Sequence, residues 1–220
     1  MRIVIISNNS RIGYAMKLNK IKLNKLIFSS RVTLLFVSFF FAQSLSFASG
    51  TMSTKDIDNV KKVDVNSEED KKRLSVTAGL LAQYEFAAKK LIEEINSTQA
   101  TVENTTTQAT DLLRLSEDVI SSAQFRLPQC KDYLEKTLVL KDQLNKISHE
   151  RLEKDFHHDA ALPKAPTECY HTKDLFVHPA TVIVLTRDDP TLNDATRQSI
   201  TSEITEVLGH TELVRQLVIY

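Results

Sequence analysis

From Thr51 to Leu127 the chain has no proline and one glycine, Gly79, while all five prolines (128, 163, 166, 179 and 190) fall between 128 and 190. Seventy-odd residues with almost no helix breaker, followed by a punctuated half, limit the fold to long helices first and shorter, turned elements later. A seven-residue frame can be traced through the first half. Leu74, Leu81, Ala88, Ile95, Val102, Ala109, Ser116 and Ala123 form one set, and Thr77, Tyr84, Leu91, Thr98, Thr105, Leu112 and Val119 its companion. This spacing lays one mostly apolar stripe down a helix. Ser67 before Glu68, Glu69 and Asp70 reads as an N-cap with first-turn acids that complement the helix dipole.

The centre of that pattern is weak. Asn96 to Thr110 holds seven Ser/Thr and two Asn, whose side chains compete for backbone hydrogen bonds. One helix over 68–126 would be roughly 90 Å long and would need a coiled-coil partner, making a dimer. A hairpin turning near Ser97–Ala100 instead gives two helices of similar length that bury each other's stripes, and is preferred. Pro128 suits a first helical turn. Leu134, Leu140, Leu144, Ile147, Leu152 and Phe156 continue at helical spacing, and Leu192, Ile200, Ile204, Val207, Val214 and Val218 mark a last helix. The expected spans are 68–97, 101–126, 129–156 and 192–218. The fold class is all-α: an antiparallel four-helix bundle, built from a hairpin and two further helices, over domain 67–220.

The link between the third and fourth helices is long, and long loops are commonly functional. Its segment Phe176 to Thr186 is rich in β-branched residues and resembles a strand, but a lone strand lacks a partner. A short helix starting at Pro179 is slightly favoured.

The N-terminal end of this scheme is basic and then apolar. Residues 1–31 carry seven Lys/Arg and no acid. Val32 to Ala42 is apolar, and Ser46-Phe47-Ala48 gives a small-x-small exit. These are the parts of a cleaved secretory signal peptide over 1–48, and the apolar run is too short to span a bilayer. Met16 opens a more ordinary start for such a segment than Met1. Residues 49–66 read as a flexible leader. The expectation is a soluble periplasmic protein without a stable membrane anchor. Losing seven of 28 cations leaves 21 against 28 acids, a net of −7. That balance argues against nucleic acid and anionic membrane as partners.

Cys130 and Cys169 are the two cysteines, and in an exported chain they read as a disulfide. Closing that loop is worth roughly 4 kcal/mol in the chain-entropy model.

Five of six histidines (149, 157, 158, 171 and 178) fall within thirty residues. His149, Glu153 and His157 are spaced i, i+4, i+8. His171, Asp174 and His178 are nearly helical in spacing. Imidazoles with a carboxylate suit Zn²⁺ or Cu²⁺, so His149, Glu153, His157, His158, His171, Asp174 and His178 are candidate metal ligands. No catalytic or phosphate-binding motif is present, and only three glycines follow residue 48.

A length argument sets these two readings against each other. A straight helix over 129–156 separates its ends by about 40 Å. Cys169 lies about twelve residues beyond, and twelve extended residues reach ~40 Å. A disulfide then stretches the link straight back along the bundle. It also parts His149, His157 and His158 from His171 and His178. The disulfide reading takes precedence, with His178 a packed, hydrogen-bonded residue and His210 on the surface. The leading functional expectation is a non-catalytic exported bundle binding a protein or small ligand. Metal handling by the histidine-rich segment is the alternative, and an enzyme of unspecified class the third.

Overall fold

The structure, a computed structural model, describes residues 57–220. The expected signal peptide and the first part of the expected leader lie outside the described residues. Within them the chain is all-helical. Its six α-helices are α1 (Glu68–Ile95), α2 (Val102–Arg126), α3 (Lys131–Leu138), α4 (His149–Leu152), α5 (Glu168–Asp188) and α6 (Asp194–Val214). Among the described residues no helix is long and apolar enough to cross a membrane.

The polar stretch after Ile95 breaks the first long pattern. Residues 96–101 turn, and Thr101 caps α2 by accepting a hydrogen bond from the Asn104 amide at 3.2 Å. The two helices run antiparallel: Thr77 and Ser122 hydroxyls meet at 2.6 Å near one end. Both heptad sets point inward except at Thr98, exposed in the turn, and the half-buried Val102, and Leu81, Tyr84, Ala88, Leu91, Ile95, Ala109, Leu112, Val119 and Ala123 have no exposed surface. The single 68–126 helix is therefore not formed, and the coiled-coil argument for a dimer that rested on it no longer applies. Ser67 caps α1 through the Asp70 amide at 3.0 Å.

The expected third helix is where the structure departs most. Residues 129–156 do not form one rod. A 3₁₀ turn, Pro128–Cys130, leads into α3, which ends at Leu138. A second 3₁₀ turn, Val139–Gln143, and an open corner follow before α4. Ser148 starts α4 as a new N-cap, accepting from the Arg151 amide at 3.3 Å. The Arg187 guanidinium, from the far end of α5, donates to the carbonyls of Leu144 (2.5 Å) and Ile147 (2.8 Å). Those carbonyls are ones that a continuous helix would have bonded internally. The helix-spaced residues Leu140, Leu144, Ile147, Leu152 and Phe156 are all buried nonetheless; they pack from a chain that folds back.

The crossover is corrected as well. It is neither a strand, nor a short helix, nor an extended strap along its length. It contains α5, 21 residues long, with Pro179 inside it. Every residue from His171 to Val182 is buried. The β-branched run has no amphipathic period because α5 is covered on all sides. α5 packs between α2 and α6, and α1 packs against α2 and α6. Helix α5 thus takes the place expected of residues 129–156.

Pro179 has no N–H, so the carbonyl four residues earlier, Leu175, loses its helical donor. The Tyr84 hydroxyl donates to that carbonyl at 2.8 Å. Burial, and then the nearby Asp174 charge, raise the Tyr84 pKa well above its ordinary value, which keeps the phenol a donor.

The Cys130–Cys169 disulfide is formed, with Cα atoms 5.4 Å apart. It joins the 3₁₀ turn that follows α2 to the start of α5. Residues 57–66, assigned on sequence to the flexible leader, are tied down. Ile57 is buried, the Val63 amide donates to Arg126 O at 2.9 Å, and Lys62 Nζ donates to Gln216 O at 2.8 Å.

Tyr84→Phe leaves the packing intact and strips Leu175 O of its only inserted donor. A buried acceptor without a partner costs about 1–3 kcal/mol. Denaturant unfolding of the variant is expected to show that loss with an unchanged m-value. An unchanged midpoint would mean that the carbonyl does not depend on Tyr84.

Candidate metal centre

The folded-back segment after α3 brings its end against the middle of α5. Residues Glu153–His157 form one widened, π-helical turn continuing α4, a local geometry often found at functional sites. Asp159 then reverses the chain with φ 61°, a backbone region that Asp tolerates better than most residues. The Tyr133 hydroxyl (2.7 Å) and Lys173 Nζ (3.0 Å) both donate to Asp159 Oδ1. This fixes the reversal.

The result overturns the spatial parting of the histidines. His157 lies against His178, ring centroids 5.0 Å apart and edge to face. His178 stacks on His210 at 5.9 Å, and His210 lies 5.0 Å from His171. Four imidazoles thus form a row along the contact of α5 with α6 and the π turn. Asp174 belongs to two overlapping groups within it. One ligand atom each of His157, Asp174 and His178 lie within 4.8 Å of one another, and the same holds for His171, Asp174 and His210. A third grouping of this kind joins His178, Glu206 and His210.

The disulfide and the histidine site are therefore compatible. What failed was the premise of a straight helix over 129–156. Once the chain bends at residues 144–148, the link need not cover 40 Å, and His157 returns to the level of His178.

The hydrogen bonds leave particular ring atoms free. His157 Nδ1 is 2.7 Å from Glu153 Oε2, and His178 Nδ1 is 2.8 Å from Glu203 Oε2. With both carboxylates ionised the ring N–H donates in each pair, and in the neutral imidazole Nε2 then carries the lone pair. Carboxylates holding the far nitrogen of a histidine are the usual outer support of a metal ligand. His178 Nε2 and His171 Nε2 are buried without a hydrogen-bond partner. His210 Nε2 and Asp174 Oδ1 make no hydrogen bond either, but each has an ion-pair contact, with Asp174 Oδ2 at 3.5 Å and Lys173 Nζ at 3.2 Å. Buried polar atoms of native interiors are mostly paired.

The remaining candidates lie at the rim. His149 Nε2 is 3.7 Å from Glu153 Oε1, with its side chain 42% exposed. His158 is exposed and stacks on His157 at 5.3 Å. His210 was expected on the surface. It is half-buried, with Nδ1 2.8 Å from His171 Nδ1 and Nε2 3.5 Å from Asp174 Oδ2. Glu203 and Glu206 were not anticipated either. A signal existed: Glu203, Glu206 and His210 repeat the i, i+3, i+7 spacing of His171, Asp174 and His178.

Lys173 is the cation of the site, 2% exposed. Its Nζ lies 3.2 Å from Asp174 Oδ1 and donates to His157 O at 2.8 Å. Burial pushes the Asp174 carboxyl up, but the charges of Lys173, His178, His210 and His157 outweigh it and hold the pKa below the ordinary value. Glu153 behaves likewise: burial raises it, and the hydrogen bond from His157 leads the effects that lower it. The same bond raises the His157 pKa against the pull of burial. His171 is driven down to about 4, first by burial and then by His210. His210 is lowered as well, by burial first.

No protein-family model, no curated protein and no solved structure matches this chain. The geometry of the site stands by itself.

These shifts fix a pH dependence for the metal-free protein. His171 and His210 fold with lowered pKa values, so below the ordinary value of 6.5 the unfolded chain binds protons that the folded chain refuses. Stability therefore falls as the pH drops from about 6.5 towards 4. Glu153 and Asp174 add to the loss at the acid end of that window. His157 acts oppositely, since its contribution is complete below 6.5 and fades as pH rises through its raised value. Urea midpoints of chelator-treated protein should decrease across the window, and less so in His171→Leu. Equal pH slopes in the two proteins would contradict this account.

Proposed function

We propose that this is an exported metal-binding protein whose helical bundle holds a divalent transition ion, Zn²⁺ or Cu²⁺, at His157, His178 and Asp174. One observation carries the reading. Two imidazoles 21 residues apart in sequence, His157 and His178, each donate Nδ1–H to a separate carboxylate, Glu153 and Glu203, and share a 4.8 Å neighbourhood with a buried aspartate. Nitrogen and oxygen donors without a thiolate fit these two ions. Three protein ligands leave a coordination position for water or an exchanging ligand. The disulfide is compatible with an oxidising compartment such as the periplasm, where the basic and apolar segments before Ser49 would direct the chain.

The expectation of a bundle that binds a partner protein or small ligand rested on missing motifs. The metal reading rests on placed atoms, and so ranks first. Binding and handling of the ion, rather than turnover, is what these residues support.

Chelator-stripped, untagged protein is expected to take up Zn²⁺. Its melting temperature should rise with ion concentration, the folded state being stabilised by about 2.7 kcal/mol at one hundred times the dissociation constant. His178→Ala and His157→Ala should lose most of that rise, whereas His149→Ala, at the rim, should keep it. Absence of bound ion by elemental analysis, together with an unmoved melting temperature, would refute the proposal.

A further inference from the structure

We infer that His210 is a fourth protein ligand of the same ion, through Nε2, and that His171 is no ligand but holds His210 in place by accepting its Nδ1–H. This rests on the metal reading of His157, Asp174 and His178, and fills the coordination position that those three leave.

The pattern of held nitrogens carries the inference. Glu153 holds Nδ1 of His157 at 2.7 Å, and Glu203 holds Nδ1 of His178 at 2.8 Å. Nδ1 of His210 is held in the same way, at 2.8 Å, by Nδ1 of His171. The Nε2 atoms of His178 and His210 are both buried without a hydrogen bond. His210 therefore repeats the construction of the two imidazoles already assigned, one nitrogen fixed from outside the site and the other left over. A partner that fixes the far nitrogen is what a ligating histidine ordinarily has. The rings also adjoin. His178 stacks on His210 at 5.9 Å, and the two offer ligand atoms to one group with Glu206. As the side chains stand, no single group contains His157, Asp174, His178 and His210 together, so uptake of the ion draws them in by side-chain rotation.

One proton lies between the two Nδ1 atoms, and in a pair of neutral rings it can sit on either. On His171, it leaves His210 with Nε2–H, which points to Asp174 Oδ2 at 3.5 Å and cannot ligate. On His210, it leaves a bare lone pair at Nε2 facing that oxygen. Two electron-rich atoms in contact disfavour the second form, and a cation between them reverses the preference. Both forms carry one proton on each ring, so the exchange moves the contact proton to His210, passes the outer proton from His210 to His171 Nε2 by way of water, and leaves the pair neutral. His171 Nε2 has no partner in either form and does not decide between them. The 3.5 Å separation is close to the roughly 3.4 Å edge of a tetrahedron with bonds of about 2.0–2.1 Å. Asp174 then gives Oδ2 to the ion and keeps Lys173 on Oδ1 at 3.2 Å. Three nitrogens and one oxygen, closed to water, form a shell that Zn²⁺ takes readily, whereas Cu²⁺ prefers a tetragonal one.

The test uses Co²⁺ alone as a coloured probe for Zn²⁺ on the chelator-stripped protein without a tag. At one equivalent the protein should develop the intense visible absorption of four-coordinate Co²⁺. His210→Ala should still bind one ion but show the weak absorption of a water-bearing, higher-coordinate shell, and free imidazole added to it should restore the intense band. His210→Phe, which keeps the ring volume without a ligating nitrogen, replaces it if the alanine variant does not fold. His171→Leu should weaken Zn²⁺ binding about 10–100-fold, as loss of an outer partner does. His171→Glu, with an oxygen to accept the His210 Nδ1–H, should recover both affinity and band. A weak band in the unaltered protein, or an intense one that survives loss of His210, would overturn the fourth ligand and leave the three-ligand site standing. No recovery in His171→Glu would overturn the holding role of His171, and no bound Co²⁺ or Zn²⁺ would overturn both metal readings.

Discussion

The disulfide between Cys130 and Cys169 decides where the chain re-enters its own core. It holds the first turn of α5 beside the end of α2, so α5 is laid between α2 and α6 instead of outside them. Everything that follows depends on that placement. A helix in this position is enclosed on all sides, and the side chains it carries must be satisfied from inside. Apolar residues such as Phe176, Val177 and Val182 meet this by packing. His171 and His178 meet it through His210 and Glu203 on α6, and Asp174 through Lys173 beside it on α5 and through His210.

The centre of α5 shows how closely fold and site are joined. Pro179 follows His178 directly and leaves the Leu175 carbonyl without a helical donor. Tyr84 repairs this from α1, one turn from Asp174. At the other end of α5, Arg187 holds the corner at Leu144 and Ile147 that lets the preceding segment fold back. One helix therefore orders the corner, and the corner delivers His157 to the same helix. Lys173 completes the arrangement by giving Asp174 and Asp159 a buried counter-charge. Breaking such a buried pair by removing one partner typically costs about 3–5 kcal/mol, which makes this cation structural when no ion is bound.

Much of the scaffold was legible in the sequence. Heptad spacing marked α1 and α2, the Asn/Thr-rich stretch marked the turn between them, and the compartment argument paired the cysteines. The misreading came from treating helical spacing over 129–156 as proof of one helix. Leu140, Leu144, Ile147 and Leu152 are buried as that spacing requires, yet Ser148 and the distant Arg187 break the rod. A contact across forty residues leaves no local trace. Helix α5 was hidden for the opposite reason, since a helix buried on every face has no polar side to reveal its period. The site suffered from both errors. Its ligand types and five of its residues, Glu153, His157, His171, Asp174 and His178, could be listed, but a straight third helix kept them apart. His210 was set aside as surface although its spacing from Glu206 and Glu203 mirrored that of His178 from Asp174 and His171.

The central claim is that imidazoles brought together by this fold ligate a metal ion. X-ray absorption at the metal edge of protein loaded with one equivalent of Zn²⁺ tests it most directly. The account predicts a first shell of nitrogen and oxygen at about 2.0–2.2 Å, with the outer-shell scattering of imidazole rings and no sulfur. A shell of oxygen alone without imidazole scattering, or sulfur at about 2.3 Å, would contradict it.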